Sequence, residues 1–375
     1  MNYSTGLLRD RLNSRNIRGG IFISTLGACS IFLLASCSTS AYYSQAVKGH
    51  FKLYSKRKPI DKLLENADTS DDLKKKLFTV KKIRRFASRE LKLPDNGSFT
   101  GYVELERRYL AWSVVAVPEF SLSPKKWCFP VAGCVSYRGY FNREDADAFA
   151  RSLHDEGFDV SVLPISAYST LGWFDDPVLS TFLSWPEQNL AGLIFHELTH
   201  AMIYVKDDSV FNESLATVVE REGVIRWVKS NGNNAQLNAY NDYQKRKTMF
   251  TDNVMKYRER LKIVYDSGAS PEEMREQKKI IFDDMLMEYK RESMREGSRS
   301  EYREMFYKDL NNAKIASVFT YYDLVPTFKA LLDSKNGNLD EFYAEARNIG
   351  SLPKDMREQR LNRILPAGNQ IHSTK

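Results

Sequence analysis

Ala191-Gly-Leu-Ile-Phe-His196-Glu197-Leu198-Thr199-His200 is the stretch on which the reading of this chain turns. An apolar run leads into two histidines four residues apart. On a helix that spacing stacks both imidazoles on one face, one turn apart, where they can ligate a single metal ion. Glu197 lies beside that face, placed to reach a water at the metal without occupying a ligand position. The chain has five histidines, at positions 50, 154, 196, 200 and 372. Given that scarcity, a chance HExxH in the whole chain has a probability on the order of one in a hundred or less.

Tetrahedral catalytic zinc takes three protein ligands and leaves one position for water. The other histidines fit poorly: His50 and His154 precede the motif in amphipathic, exposed-looking helices, and His372 lies in a polar tail. After His200, the loop Lys206-Asp207-Asp208-Ser209 lets a second helix, opening Phe211-Asn212-Glu213-Ser214-Leu215-Ala216, fold back on the first. Glu213 near its start is the expected third ligand, ahead of Glu220 and Asp208, and Ala216 one turn on is expected to permit close helix packing. One Zn2+ per chain on His196, His200 and Glu213, with Glu197 as general base, is the predicted centre. Hydrolysis of a peptide also needs a donor for the developing oxyanion. Since only His372 follows His200, a phenol is expected there, with Tyr321 and Tyr322 as candidates.

Upstream, residues 1–18 are polar and net positive, while Gly19 to Ser36 carry no charge and are strongly apolar. This is the layout of a secretory signal. Leu34-Ala35-Ser36-Cys37 resembles the bacterial lipobox, which predicts a lipid anchor on Cys37 and a membrane-surface location. Ser38 stands where inner-membrane retention usually wants Asp, so that resemblance implies an outer-membrane destination facing the periplasm. Two alternatives stay open. Leu26-Gly27-Ala28-Cys29 also fits the box but leaves only about seven apolar residues before it, and an uncleaved stretch of about 18 uncharged residues could just span a bilayer. Beyond the anchor only Cys128 and Cys134 remain, and a disulfide between them is expected in an oxidising compartment.

The formal charge is +7, of which +3 lies in the first 36 residues, leaving +4 over the rest. That excess is too small and dispersed for a nucleic-acid partner. The basic run from Lys74 to Arg85 reads as a solvated helix face.

The predicted fold class is α+β. Residues 1–36 are the signal peptide and 37–95 a helical segment. Residues 96–230 combine a mixed sheet with a zincin-like metal helix pair, and 231–375 are predominantly helical. Strands are expected over Tyr109–Val117, Cys134–Phe141 and Phe158–Pro164, with a helix capped by Asn142 between the last two. Ser270-Pro271-Glu-Glu273 reads as the start of the second arm of a long helical hairpin.

HELTH followed by an Asn-Glu-x-x-Ala helix resembles the gluzincins, the thermolysin-like and aminopeptidase N-like zinc peptidases, although the interval from His200 to Glu213 is shorter here. A broader resemblance rests on Cys37-Ser-Thr-Ser-Ala-Tyr-Tyr-Ser-Gln-Ala-Val-Lys-Gly49, Tyr137-Arg-Gly-Tyr-Phe141, Ala167-Tyr-Ser-Thr-Leu-Gly-Trp-Phe174, HELTH, Phe211-Asn-Glu-Ser214, Asn311-Asn-Ala313 and Tyr321-Tyr-Asp-Leu-Val-Pro326. These are similar to the predicted aminopeptidases among bacterial lipoproteins. The resemblance implies an aminopeptidase acting on peptides at the cell envelope. Related zinc peptidases pair an edge strand ahead of the metal helix with the substrate backbone. That makes Ala167–Phe174, with Thr170 and Gly172, the candidate substrate-binding segment. Asp175 and Asp176 are suspects for holding a substrate amine. The competing class is a lipid-anchored scaffold or chaperone with a structural metal site, and Glu197 is the residue that such a site does not need.

Overall fold

The structure, a computed structural model, describes residues 40–129, 133–167, 170, 174–232, 234–296 and 301–364. Gly172 and the anchor cysteine Cys37 lie outside the described residues. The chain falls into two compact units, 1–52 and 53–375, and the described part of the first is helical. Helix α1 covers residues 40–55. It is followed by β1 (Lys58–Pro59), α2 (Ile60–Glu65), α3 (Asp71–Arg89), β2 (Gly101–Val103) and β3 (Ala111–Pro118). Then come β4 (Trp127–Phe129), β5 (Gly133–Val135), β6 (Arg138–Tyr140), α4 (Arg143–Asp155) and β7 (Phe158–Ile165). Next are β8 (Val178–Leu179), α5 (Ser180–Leu183), α6 (Glu187–Met202), α7 (Ser209–Asn231), α8 (Asn234–Tyr265) and α9 (Pro271–Glu296). The chain closes with α10 (Glu301–Tyr307), α11 (Asn312–Tyr322), α12 (Val325–Ser334), α13 (Leu339–Gly350) and α14 (Lys354–Asn362). The fold is mixed α+β with a helical carboxy-terminal part. Among the described residues no helix is long and apolar enough to cross a membrane.

Cap chemistry fixes several helix starts where the residue types demanded it. The Asn142 side chain accepts from the amides of Glu144 and Asp145. Ser270 and Glu273 exchange bonds as a capping box, with Pro271 as the first helical residue. Helices α8 and α9 form the expected hairpin across that turn.

The strand expected over Cys134–Phe141 is broken in two. Strand β5 pairs with β4, whereas β6 pairs with β3, so the chain changes partner at Ser136-Tyr137. In the three-stranded sheet of order β6-β3-β7 both outer strands run antiparallel to β3. The unit β6-α4-β7 is therefore a split crossover with β3 inserted. Alternation along β3 then sorts its side chains. On one face Trp112 meets Arg143 of α4, whose guanidinium lies 4.5 Å from the ring centroid. On the other, Val115 and Val117 pack against Ala313 and Ala316 of α11.

Helix α11 is pinned to this sheet at its first turn. The Asn311 side chain caps it and donates to the Val160 carbonyl, while the Asn312 amide donates to Asp159. Lys278 of α9 reaches the same carboxylate at 2.7 Å. One main core, running from Leu53 to Leu361, includes Leu77 of α3, Phe195 of α6, Phe211 of α7, Phe328 of α12 and Phe342 of α13. The HExxH helix α6 and its neighbour α7 are thus built into the core of the unit.

A candidate metal centre

Two glycines set the spacing of α6 and α7. A Cβ on Gly192 would come within 3.2 Å of Glu220, and one on Gly223 would meet the Phe195 ring at 2.6 Å. Ala216 is fully buried in α7. The connection between the helices is locked by Asn212. Its side-chain carbonyl accepts from the Val205 amide at 2.7 Å, and its amide donates to the Val205 carbonyl at 2.8 Å. Asp208 caps α7 through the Phe211 amide and pairs with Arg357 of α14 at 2.9 Å. With the loop so held, Glu213 faces back toward α6.

The result is a triangle of donor atoms. Nε2 of His196 lies 3.1 Å from Nε2 of His200 and 3.1 Å from Oε2 of Glu213, and His200 Nε2 lies 3.6 Å from the same oxygen. In tetrahedral zinc, bonds of about 2.0–2.1 Å place nitrogen and oxygen donors about 3.3–3.4 Å apart, so these three atoms suit one ion. His196, His200 and Glu213 are the metal-capable group found among the described residues. Asp208 is committed elsewhere. Glu220 takes a different place, its Oε2 lying 3.2 Å from Nδ1 of His196.

The electrostatics call for a cation. Burial opposes charge on Glu213, yet His200 and His196 hold its carboxyl far below the usual range. Burial likewise works against a charged Glu220, which Lys247 and His196 outweigh. His196 is pulled down by burial and pushed up further by Glu213 and Glu220, so its ring lies between two carboxylates that favour positive charge there. A bound cation would supply that charge. Glu197 beside them is pushed up by burial, with the two imidazoles opposing the shift.

Tyr321, at the end of α11, comes to this group. The charge of Glu213 is the largest influence raising its phenol pKa, followed by burial. Its side chain is still 41% exposed, which places it at the rim. Tyr322 has other neighbours: Lys247 and Arg221 lie over its ring at 5.4 and 5.8 Å from the centroid. Sequence reasoning missed Lys247 and Tyr204; burial, then Glu213, raises the Tyr204 phenol. Neither belongs to a motif, and each is coupled to the site through charge.

Thr170 is bonded to Phe174 and Asp176. Its hydroxyl donates to the Phe174 carbonyl and accepts from the Phe174 amide, and its own amide donates to Asp176. Asp176 is thereby spent on the loop and is 6% exposed. Cys128 and Cys134 are joined as a disulfide across facing positions of β4 and β5. The Cys134 amide donates to Asp207, in the loop between α6 and α7, at 2.6 Å.

No curated protein and no solved structure matches the chain. A family model described as "Putative aminopeptidase" matches residues 41–361. That span contains the donor triangle, Glu197, Glu220 and Tyr321, and the chain belongs to this aminopeptidase family.

Proposed function

We propose that the protein is a zinc-dependent aminopeptidase of the bacterial cell envelope, tied by a lipid on Cys37 to the outer membrane and facing the periplasm. The observation that carries the catalytic part is the triangle of His196, His200 and Glu213 with the Glu197 carboxyl beside it. Peptide substrates follow from the family. The location rests on the charged and apolar segments before Cys37 and on Ser38 after it.

His196, His200 and Glu213 would hold a zinc ion, which when bound would supply Lewis acidity to a water and to the scissile carbonyl. Glu197 accepts a proton from the attacking water and returns it to the leaving amine. Burial favours this exchange by bringing the pKa of its carboxyl upward, nearer the working pH. The Tyr321 phenol, kept protonated by the negative charge of Glu213, donates to the oxygen on which charge develops. Glu220 holds the His196 ring in the tautomer whose Nε2 lone pair faces Glu213 and His200.

A structural metal site has no use for Glu197, so Glu197→Gln separates the two functions. The variant should retain zinc and melting temperature. Cleavage of a broad peptide library should fall by about 10²–10⁴, the usual contribution of a positioned acid–base group. Product masses from the same library identify the substrate class. Equal cleavage by wild type and variant would sink the mechanism.

A further inference from the structure

We propose that the exposed apolar stripe of α1 is a docking surface for an anionic lipid bilayer. The helix exposes Tyr43, Val47 and Phe51, at 38, 51 and 64% of their full surface. At about 100° per residue these three positions fall within an arc of about 80°, so they form one continuous apolar stripe. Exposed Lys48 and Lys52 lie along one side of the stripe, and Lys56, Arg57 and Lys58 follow. No Asp or Glu occurs between Cys37 and Ile60. A narrow apolar stripe bordered by lysines is the pattern of helices that lie in the interface plane of a membrane, with aromatic side chains among the headgroups and ammonium groups on lipid phosphates.

The position of the helix in the chain points to the same occupant. The geometry rests on the envelope-anchored reading above. Three residues of chain extend by at most about 10 Å, so a lipid on Cys37 keeps the start of α1 that close to the headgroups. A helix of that length is about 24 Å long and can lie flat within that reach. The anchor fixes the chain at one point only, and a second, partly electrostatic contact would set how the chain lies on the bilayer. The α1 stripe is suited to be that second contact.

Sedimentation with vesicles tests this without the lipid. The chain from Ser38 to Lys375 retains every described residue and the whole core. It should bind vesicles of phosphatidylethanolamine and phosphatidylglycerol, and bind phosphatidylcholine vesicles far less. Val47→Glu with Phe51→Glu should weaken binding by about tenfold or more, with unchanged circular dichroism and melting, because both side chains are exposed. Lys48→Glu with Lys52→Glu should remove the preference for phosphatidylglycerol. Vesicle binding that is undetectable, or unaffected by either pair of substitutions, overturns the proposal. So does a wild-type chain that dimerises in ultracentrifugation through this face, because the occupant is then a second copy. Labelled-palmitate incorporation into the full chain, compared with Cys37→Ser, reports on the anchor alone. A failure of the anchor is thereby distinguished from a failure of the helix.

Discussion

The Glu220 carboxylate lies 3.2 Å from Nδ1 of His196, the ring nitrogen opposite the one that meets Glu213. His200 has no such support: its Nδ1 is buried without a hydrogen-bond partner. The two imidazoles of the motif are therefore held unequally, one by a carboxylate from α7 and one by packing alone.

From this asymmetry, Glu220→Gln should lower zinc affinity by about 10–100-fold, the usual cost of losing a carboxylate behind a ligating histidine. Competition with a chromogenic chelator measures it. An unchanged affinity would show that packing alone orients His196.

The ligand assignment predicts that Glu213→Ala loses most bound zinc by elemental analysis, as should His196→Ala. Asp208→Asn serves as the contrast. It keeps the metal but removes the charge that pairs with Arg357, a contact in which both side chains are at most 15% exposed. Leaving one partner of a buried pair costs about 3–5 kcal/mol, so a denaturant midpoint should fall while zinc stays.

Tyr321→Phe should lower kcat by about 10²–10³ with little change in KM if the phenol serves the transition state. Tyr322→Phe, whose ring lies under Lys247 and Arg221, should have a much smaller effect. Steady-state kinetics on any peptide that the wild type cleaves decides between them.

Cys128→Ser with Cys134→Ser removes a short-range crosslink. A loop this short is worth about 2 kcal/mol in the chain-entropy account. Urea unfolding should show a loss of that size, and reducing agent should produce the same loss in wild type but none in the double variant.

The parts of the site legible in the sequence were those governed by local geometry. His196, Glu197 and His200 share a helix, and a period of 3.6 residues is enough to group them. Glu213 was reachable because a short loop forces the next helix back. Glu220 was passed over as a ligand, and its actual place depends on the register between α6 and α7. The clue to that register was present in Gly192 and Gly223, which no period marks. Tyr321 and Tyr322 were picked by elimination, and only the turn of α11 separates their surroundings. The split of Cys134–Phe141 into β5 and β6 was hidden because β propensity says nothing about which strand is the partner. Ala167–Phe174 is a candidate edge strand only through the resemblance to related zinc peptidases, and most of it lies outside the described residues. Of its described residues, Thr170 and Phe174 are joined by two bonds of the Thr170 hydroxyl, which no periodicity marks.

The centre also has an order in time. His196 and Glu213 are synthesised about a hundred residues before Tyr321 and the helices α11 to α14 that wall α7, a lag of roughly 5–20 s at ordinary translation speed. The Ser214 hydroxyl, one residue from Glu213, waits for the Leu324 amide, and Asp208 waits for Arg357. The donors therefore meet solvent, and any cation in it, before the last helices close around them.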